Sequence, residues 1–269
     1  MTSSIPNPRP RWQHNLSNSA HIALTCLDLT SLNNQDIEAD IANLCQRAQG
    51  PFGPVAAVCV WPHLAAFARA QLPTHIGVAA VANFPHGSPD VALAVQDALQ
   101  IAQAGAQEVD VVLPYKALMA GDETAVTALL SAVRHACPGL VLKVILETGE
   151  LRAPALIRRA SELALDAGAN FLKTSTGKTP VHATPEAART MLSAIAAHPA
   201  ARSYAGFKAS GGIRTVQEAI VFAALMQQYL GDEALKPTRF RIGASSLLSD
   251  IEAVLGGVEM PPNTPSSLY

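Results

Sequence analysis

Residues 140–178, LVLKVILETGELRAPALIRRASELALDAGANFLKTSTGK, contain the pattern that decides the fold. Two short apolar runs, residues 141–146 and 171–174, predict strands that are buried on both faces. Between them, residues 151–167 have the apolar spacing of a helix, and Gly168 predicts its end. The order strand, helix, strand predicts one βαβ unit of a parallel sheet.

The same alternation extends along the chain in both directions. Further helices are predicted at residues 34–49, at residues 88–103 with Ser88 as N-cap, and after Thr184. The other candidate strands are residues 22–28, 55–60, 76–82, 108–113, 205–208 and 240–243. About eight units predict a single-domain α/β fold, the (β/α)₈ or TIM barrel, with an open doubly wound sheet as the alternative. The 269 residues fit a barrel, which typically needs about 250.

The two ends of the chain differ in composition from its body. Residues 1–19 have three prolines among the first ten positions and no apolar segment of a secretory signal, which predicts a disordered leader. Residues 258–269 are rich in proline and serine, and we expect a mobile tail there. Residues 20–257 are therefore the predicted barrel domain.

Composition argues against several classes of protein. Charged residues make up 15% of the chain, the formal net charge is −2, and like charges do not cluster, so neither nucleic acid nor a membrane surface is an expected partner. Apolar runs are too short to span a membrane. The four cysteines and eight histidines lack the spacing of disulfide or zinc frameworks, so we expect no metal and a cytoplasmic location.

Three of the six lysines lie in predicted strands, where lysine is rare. Lys143 is inside one apolar run, and Lys173 and Lys208 each end one. They could simply extend to water at strand ends. However, barrel ligands bind at the C-terminal ends of the strands. Two ammonium groups at that mouth, partly buried, would lower each other's pKa, and a neutral amine can attack a carbonyl to form an imine.

Asp110 supplies a carboxylate inside the apolar run of residues 108–113, on the strand before that of Lys143. A buried carboxylate needs a cation or several hydrogen-bond donors. The pair Asp110–Lys143 is therefore either a structural ion pair or, as we prefer, a pair that moves protons through water. Cys59, at a strand end, is either a small buried side chain or part of the pocket.

Turns rich in glycine and hydroxyl groups follow the last three predicted strands, at residues 174–178, 210–214 and 243–246. Glycine lets backbone N–H groups approach an anion, and barrels often bind phosphate in their last loops. The candidate phosphate-binding residues are Gly177, Lys178, Gly211, Gly212, Gly243, Ser245 and Ser246.

From Leu24 to Leu255 the chain resembles the deoxyribose-phosphate aldolase family. The matching strings are LDLTSLN, VCVWP, NFPHG, EVDVVLPYKALMAGD, LKVILETGEL, GANFLKTSTGK, GFKASGGIRT and RIGASSLL. The resemblance implies a class I aldolase on a (β/α)₈ barrel, a homodimer without metal or organic cofactor. Such an enzyme reversibly cleaves 2-deoxy-D-ribose 5-phosphate to acetaldehyde and D-glyceraldehyde 3-phosphate in the breakdown of deoxynucleosides. Small phosphorylated sugars and aldehydes are thus the expected partners.

The resemblance also implies roles for individual residues. Lys173 forms the imine, Lys208 lowers the pKa of Lys173, and Asp110 with Lys143 organises proton transfer. Gly177, Lys178, Gly212, Ser245 and Ser246 fall where the family holds the phosphate. The residues expected to line the sugar pocket are Asp28 and Thr30, and the residue expected to relay a proton from the chain end is Tyr269.

Departures from the family pattern are small, and two other functions fit the same residues. Ala-Ser follows the GFK string where the family commonly has Pro-Ala, and Trp61 stands where tyrosine is frequent. A transaldolase-like enzyme would also use Lys173 but would prefer a longer ketose donor. A phosphosugar-binding barrel without catalysis is the third possibility, although all four expected catalytic residues are present.

Overall fold

Eight parallel strands close into a barrel in chain order in the structure, a computed structural model that describes residues 15–257. The strands are β1 Leu27–Thr30, β2 Ala57–Val60, β3 Gly77–Ala82, β4 Glu108–Val112, β5 Val141–Ile145, β6 Phe171–Lys173, β7 Gly206–Ser210 and β8 Phe240–Ala244. Strand β8 pairs with β1, which confirms the predicted (β/α)₈ barrel and excludes an open sheet.

Helices surround the barrel. They are α1 Leu16–Thr25, α2 Glu38–Arg47, α3 Ala65–Gln71, α4 Val91–Gln103, α5 Tyr115–Met119, α6 Glu123–Ala136, α7 Thr148–Leu151, α8 Pro154–Asp166, α9 Pro185–Ala197, α10 Val216–Leu230 and α11 Leu247–Leu255. Short 3₁₀ turns cover Pro62–Leu64, Ala201–Ser203 and Asp232–Ala234. Outward-facing strand residues pack against the helices, and this layer forms the main apolar core.

The strand register determines which side chains share the barrel interior. Asp110 on β4 is level with Lys143 on β5, and Lys173 on β6 is level with Lys208 on β7. Because side chains alternate between the two faces of a strand, residues two apart point the same way. The register therefore directs charged side chains from neighbouring strands into one space.

The predicted start of the barrel was wrong. Residues 16–25 form helix α1, where we expected the end of a disordered leader and most of the first strand. The Asn15 side chain accepts hydrogen bonds from the backbone N–H groups of Ser17 and Asn18 and caps this helix. The apolar run was ambiguous because its buried residues, such as Ala20 and Leu24, have helical spacing and pack toward α10 and α11.

Two other boundaries also differ from the prediction. The helix expected at residues 151–167 begins three residues later, at Pro154, which occupies the first turn of α8, whereas Leu151 ends the separate short helix α7. Asp90, rather than Ser88, caps α4 by accepting a hydrogen bond from the Leu93 N–H. The predicted cap of α9, Thr184, is confirmed by its hydrogen bond from the Ala187 N–H.

None of the helices within residues 15–257 is both long and apolar enough to cross a bilayer. The four cysteines, all within this range, are free and buried.

Candidate active site inside the barrel

Seven charged side chains fill the barrel interior. All are at most 7% exposed. Three are carboxylates and four are cations, and they come from β1, β4, β5, β6, β7 and β8: Asp28, Glu108, Asp110, Lys143, Lys173, Lys208 and Arg241. Buried charges persist only when they are paired, so the contacts among these groups determine what each can do.

Six of the seven form a closed ring of alternating charge, which we call the charge ring. In order, its contacts join Lys208, Asp28, Arg241, Glu108, Lys143 and Asp110, and Asp110 returns to Lys208. Lys143 Nζ lies 2.7 Å from Asp110 Oδ1, and Lys208 Nζ lies 2.8 Å from Asp110 Oδ2. Three positive and three negative groups balance, so the ring is neutral when all its members are ionised.

Lys173 is attached to the charge ring at one point. Its Nζ donates a hydrogen bond to Asp110 Oδ2 at 2.8 Å, and Asp110 is its one carboxylate partner among residues 15–257. Lys143 and Lys208 each contact at least two carboxylates. Lys173 is therefore the surplus cation of a group that is already neutral without it.

The pKa values of the three lysines follow from this arrangement. Burial lowers the pKa of Lys173, and the neighbouring Lys208 lowers it further, while Asp110 opposes both without cancelling them. Burial also acts on Lys143 and Lys208, but their carboxylate partners outweigh it and raise their pKa values. Lys173 is thus the lysine of the three that loses its proton most easily.

This result partly changes the expectation from the sequence. The direction of the Lys173 shift agrees with the prediction, and Lys208 contributes to it, but burial is the larger cause. The expected mutual lowering was wrong for Lys208, because Asp110 and Asp28 raise its pKa. A lysine that stays charged is a constant positive neighbour, which suits the role predicted for Lys208.

Asp110 connects the three lysines. Burial alone would raise the pKa of Asp110, but the charges of Lys143, Lys173 and Lys208 hold it well below the usual range. Asp110 therefore stays ionised at neutral pH, where it can orient its partners. Cys59 lies beside it, with Sγ 3.9 Å from Asp110 Oδ2, fully buried, and burial raises the pKa of its thiol.

Two members of the charge ring were missed in the sequence. Glu108 lies two residues before Asp110 on β4, so the alternation of a strand places both carboxylates on one face. Arg241 lies in the apolar run of β8. Both residues are charges within or at the end of an apolar run, as Lys143 is, and this is the signal that distinguishes them in the sequence.

Above the charge ring, an open cavity of about 400 Å³ occupies the barrel mouth. It is lined by the three predicted turns and by the loop that follows β1. Of the expected phosphate-binding residues, the cavity wall includes Gly177, Lys178, Gly211, Gly212, Gly243, Ser245 and Ser246. The structure thus brings together turns that lie up to about 70 residues apart along the chain.

Backbone conformation prepares this wall for an anion. Gly177, Gly211 and Gly212 have backbone φ values of +77°, +87° and +78°, which residues other than glycine rarely adopt. Ser246 is the N-cap of α11, yet its side chain makes no capping hydrogen bond. The hydroxyl and the helix N-terminus are therefore both available to a phosphate. Lys178 Nζ donates to the Leu32 carbonyl at 2.8 Å, which links this wall to the β1 loop.

The cavity floor meets the charge ring at Gly243. A β-carbon on Gly243 would lie 3.0 Å from Lys208 Cε and 2.8 Å from Ser210 Oγ. Glycine at this position leaves space between the mouth and the buried lysines. A substrate anchored at the mouth would therefore reach down toward Lys173.

The remaining predicted residues divide between the two layers. Thr30 lines the cavity, whereas Asp28 is fully buried in the charge ring, paired with Lys208 and Arg241. Direct substrate contacts of Asp28 and Cys59 stay predictions. Tyr269 lies outside the described residues, so its role stays a prediction as well.

Three further residues of the mouth were not predicted. His182 and Arg214 line the cavity, and His182 packs over the Gly211–Gly212 turn. Glu147, fully buried, accepts hydrogen bonds from Thr176 and Thr179 and so holds the loop after β6. Burial raises the pKa of Glu147. No spacing in the sequence distinguishes these residues from ordinary loop residues.

Within residues 15–257, no group of three or more His, Cys, Asp or Glu side chains is arranged to hold a metal ion. What the site offers is a buried amine, a carboxylate held by three lysines, and a mouth lined by glycine turns and a helix N-terminus. These groups suit carbonyl chemistry on a small anionic substrate.

Comparison with known proteins matches most of the chain to aldolases. A family model described as DeoC/LacD family aldolase matches residues 22–252. A candidate deoxyribose-phosphate aldolase from Coccidioides immitis is 30% identical, with a TM-score of 0.76, over 93% of this chain and 91% of that one.

Two more distant structures support the fold. A candidate deoxyribose-phosphate aldolase from Toxoplasma gondii ME49 is 23% identical, with a TM-score of 0.83, over 90% of this chain and 96% of that one. The deoxyribose phosphate aldolase from Aeropyrum pernix, described as a unique tetramer, is also 23% identical, with a TM-score of 0.69, over 91% and 99% of the two chains.

Proposed function

The chain belongs to the DeoC/LacD aldolase family, and from this premise we propose that it reversibly cleaves 2-deoxy-D-ribose 5-phosphate through an imine on Lys173. The products are acetaldehyde and D-glyceraldehyde 3-phosphate. The activity would place the chain in the breakdown of deoxynucleosides and deoxyribose phosphate. By the same resemblance we propose that the enzyme works as a homodimer in the cytoplasm.

One observation carries the proposal. Lys173 is the surplus cation beside a neutral charge ring, under a mouth suited to phosphate. Burial and Lys208 lower its pKa, which increases the neutral fraction of the amine near pH 7. A buried neutral amine is the nucleophile that a Schiff-base mechanism requires.

The first step is attack of Lys173 Nζ on the C1 aldehyde of the open-chain sugar. The carbinolamine that forms takes up one proton from the solvent, its hydroxyl leaves as water, and the protonated imine that remains withdraws electrons from C2. The imine nitrogen carries a positive charge that the neutral amine lacks. The Asp110 carboxylate, which lies 2.8 Å from Nζ of the unreacted Lys173, is placed to stabilise that charge.

Cleavage breaks the C2–C3 bond, since the products contain two and three carbons. The C3 hydroxyl loses its proton and becomes the aldehyde of glyceraldehyde 3-phosphate, while the bonding electrons move to C2 and form an enamine. The low pKa of Asp110 keeps its carboxylate ionised, so the carboxylate can orient the water that accepts the proton. Lys143, whose Nζ lies 2.7 Å from Asp110 Oδ1, is the other member of the pair that organises this transfer. Protonation at C2 and hydrolysis then release acetaldehyde and restore Lys173.

The mouth contributes by positioning. A 5-phosphate held by the turns after β6, β7 and β8 would direct the opposite end of the sugar toward the barrel interior. Holding the reacting carbon near Lys173 converts an encounter between two molecules into a step within one complex. We assign this anchoring to Gly177, Gly211, Gly212, Ser245 and Ser246.

Borohydride trapping tests the proposal. Reduction of the protein in the presence of acetaldehyde should leave N-ethyl-lysine at residue 173, located by peptide mapping. Lys173→Arg should abolish both the adduct and aldol cleavage, whereas Lys116→Arg, at an exposed lysine outside the barrel, should retain both. Cleavage by Lys173→Arg at one tenth of the wild-type rate would remove Lys173 from this role.

A donor survey separates the proposal from its alternatives. Condensation of D-glyceraldehyde 3-phosphate with acetaldehyde, in preference to dihydroxyacetone, is expected. Preference for dihydroxyacetone would instead indicate a transaldolase-like enzyme. Binding of the sugar phosphate with neither adduct nor turnover would indicate a binding protein.

A further inference from the structure

The base of the charge ring contains an ion pair that the proposed reaction does not use directly. Arg241 Nη2 lies 2.7 Å from Glu108 Oε1, and Arg241 Nη1 lies 3.2 Å from Glu108 Oε2, so the guanidinium grips the carboxylate with both nitrogens. Both side chains are at least nine-tenths buried. Stability alone does not explain a buried ion pair, because an apolar pair of similar size often stabilises a core equally well.

Each member of this pair also contacts a group that leads to Asp110. Arg241 contacts Asp28, which contacts Lys208, and Glu108 contacts Lys143, which contacts Asp110. The two paths meet at Asp110, the carboxylate to which Lys173 is attached. The Glu108–Arg241 pair therefore closes the ring on the side opposite Lys173.

Closure has an electrostatic consequence. With the ring complete, every carboxylate has cations of the ring as partners, and Lys173 is not needed for charge balance. If Arg241 lost its charge, three carboxylates would face two ring cations, and a protonated Lys173 would restore the balance. If Glu108 lost its charge, three ring cations would face two carboxylates, and a protonated Lys173 would be less favourable still.

From these contacts we propose that Glu108 and Arg241 are positioning residues that keep Lys173 in its neutral, nucleophilic form by closing the charge ring. The inference deepens the proposed function and rests on it, since a neutral Lys173 matters only if the amine reacts. The titratable and charged groups around the ring are Cys26, Asp28, Cys59, Glu108, Asp110, Lys143, Lys173, Lys208 and Arg241. The interior-facing residues of β3 (Gly77, Ala79 and Val81) add no ionisable side chain.

The test measures the protonation of Lys173 without requiring turnover. Brief reductive methylation with formaldehyde and cyanoborohydride, carried out across a pH series, labels an amine in proportion to its neutral fraction. Mass spectrometry of the peptide that contains Lys173 gives the midpoint of its labelling curve. The exposed Lys116 serves as an internal reference for reagent reactivity at each pH.

Opposite shifts are expected from the two single substitutions. Arg241→Gln should move the Lys173 midpoint to higher pH by about one pH unit, and Glu108→Gln should move it to lower pH by a similar amount, the usual effect of one charge on a buried neighbour. The double variant, Glu108→Gln with Arg241→Gln, keeps the charges balanced and should return the midpoint to that of the wild type. Arg241→Lys, which retains the charge, should leave the midpoint unchanged.

The inference would be overturned if the Lys173 midpoint moved in the same direction in both single variants. It would also be overturned if the midpoint moved in neither of them. If a single variant does not fold, the double variant and Arg241→Lys carry the test, and a midpoint that moves by about one pH unit in either of these would also overturn it. Failure of the proposed function looks different. In that case acetaldehyde leaves no N-ethyl-lysine at residue 173 in the wild type, while the methylation midpoints can still be measured.

Discussion

The barrel interior and the barrel mouth recognise charge in different ways. In the interior, seven buried side chains hold one another through ion pairs, and Asp110 alone contacts three lysines. At the mouth, glycines with positive φ and a helix N-terminus present backbone groups, and the cations Lys178 and Arg214 lie at the wall.

This difference indicates that the barrel interior determines the chemistry of the site and that the barrel mouth determines the affinity for a ligand. Interior charges are at most 7% exposed, so each acts on its neighbours with little screening and determines protonation. Mouth groups are open to water and contribute hydrogen bonds to a ligand. Substitutions inside should therefore change rates and pH profiles, and substitutions at the mouth should mainly change substrate binding.

Among substitutions in the barrel interior, Asp110→Asn is expected to have the largest effect on the reaction rate. Loss of the carboxylate removes the group that orients the proton-accepting water, so cleavage should fall by about 10²–10⁴-fold. It also removes a charge that raises the pKa of Lys173, so the amine stays neutral and acetaldehyde trapping should persist. Cleavage assays and borohydride trapping on the same preparation measure the two effects. Equal losses of both would mean that Asp110 serves only to hold Lys173 in place.

Lys208→Leu should have the next largest effect, with a displaced pH profile. Lys208 lowers the pKa of Lys173, so its removal should raise that pKa. The rising limb of the pH–rate profile should then move to higher pH by about one pH unit, with roughly tenfold less activity at neutral pH. Lys208→Arg, which keeps a positive charge, is the matched control. An unmoved limb in the leucine variant would assign the low pKa of Lys173 to burial alone.

At the mouth, Gly212→Ala should weaken substrate binding and leave the chemistry intact. A β-carbon there is strained at φ +78° and would lie 3.3 Å from His182 Cδ2. We expect KM for the 5-phosphate substrate to rise about tenfold, equivalent to the cost of about 1–2 kcal/mol for a left-handed residue. Turnover of unphosphorylated deoxyribose should change little. Gly139→Ala, with no atom within 4 Å of the new β-carbon, is the control. A similar loss with both sugars would argue against a phosphate role.

The smallest expected effect is on the pH dependence of stability, through Glu147, which holds the loop after β6 between the barrel interior and the mouth. Burial raises the pKa of Glu147, so the folded protein favours its protonated form. The associated stability is complete below the unfolded pKa, near 4.5, and is lost as pH rises through the folded pKa. Glu147→Gln should lack this loss, so the variant should gain stability relative to the wild type as pH rises. A tenfold difference in the acid dissociation constant of Glu147 between the folded and unfolded states would correspond to a gain of about 1.4 kcal/mol.

Urea denaturation at pH 4, 6 and 8 measures this difference. A constant difference between the wild type and Glu147→Gln across the three pH values would show that Glu147 is equally easy to ionise in both states.

Much of the fold was predictable because it depends on local patterns. Seven of the eight strands fall close to their predicted positions, and the turns after β6, β7 and β8 do line the mouth. The first strand was misplaced because the run that includes Ala20 and Leu24 suits a helix as well as a strand, and packing against α10 and α11 decided between them. The start of α8 at Pro154 follows from the preference of proline for the first turn of a helix, a signal that the sequence itself contains.

By itself the sequence determined the barrel, the strands that carry the lysines and the side of the barrel on which they meet. These features follow from apolar periodicity and chain order, which act over a few residues. Only the tertiary structure decided that Glu108 and Arg241 complete a ring, and that carboxylate partners raise the pKa of Lys208 while that of Lys173 is lowered. The reason is that a pKa depends on distances to all neighbouring charges, and partners such as Asp28 and Arg241 are 213 residues apart in the chain.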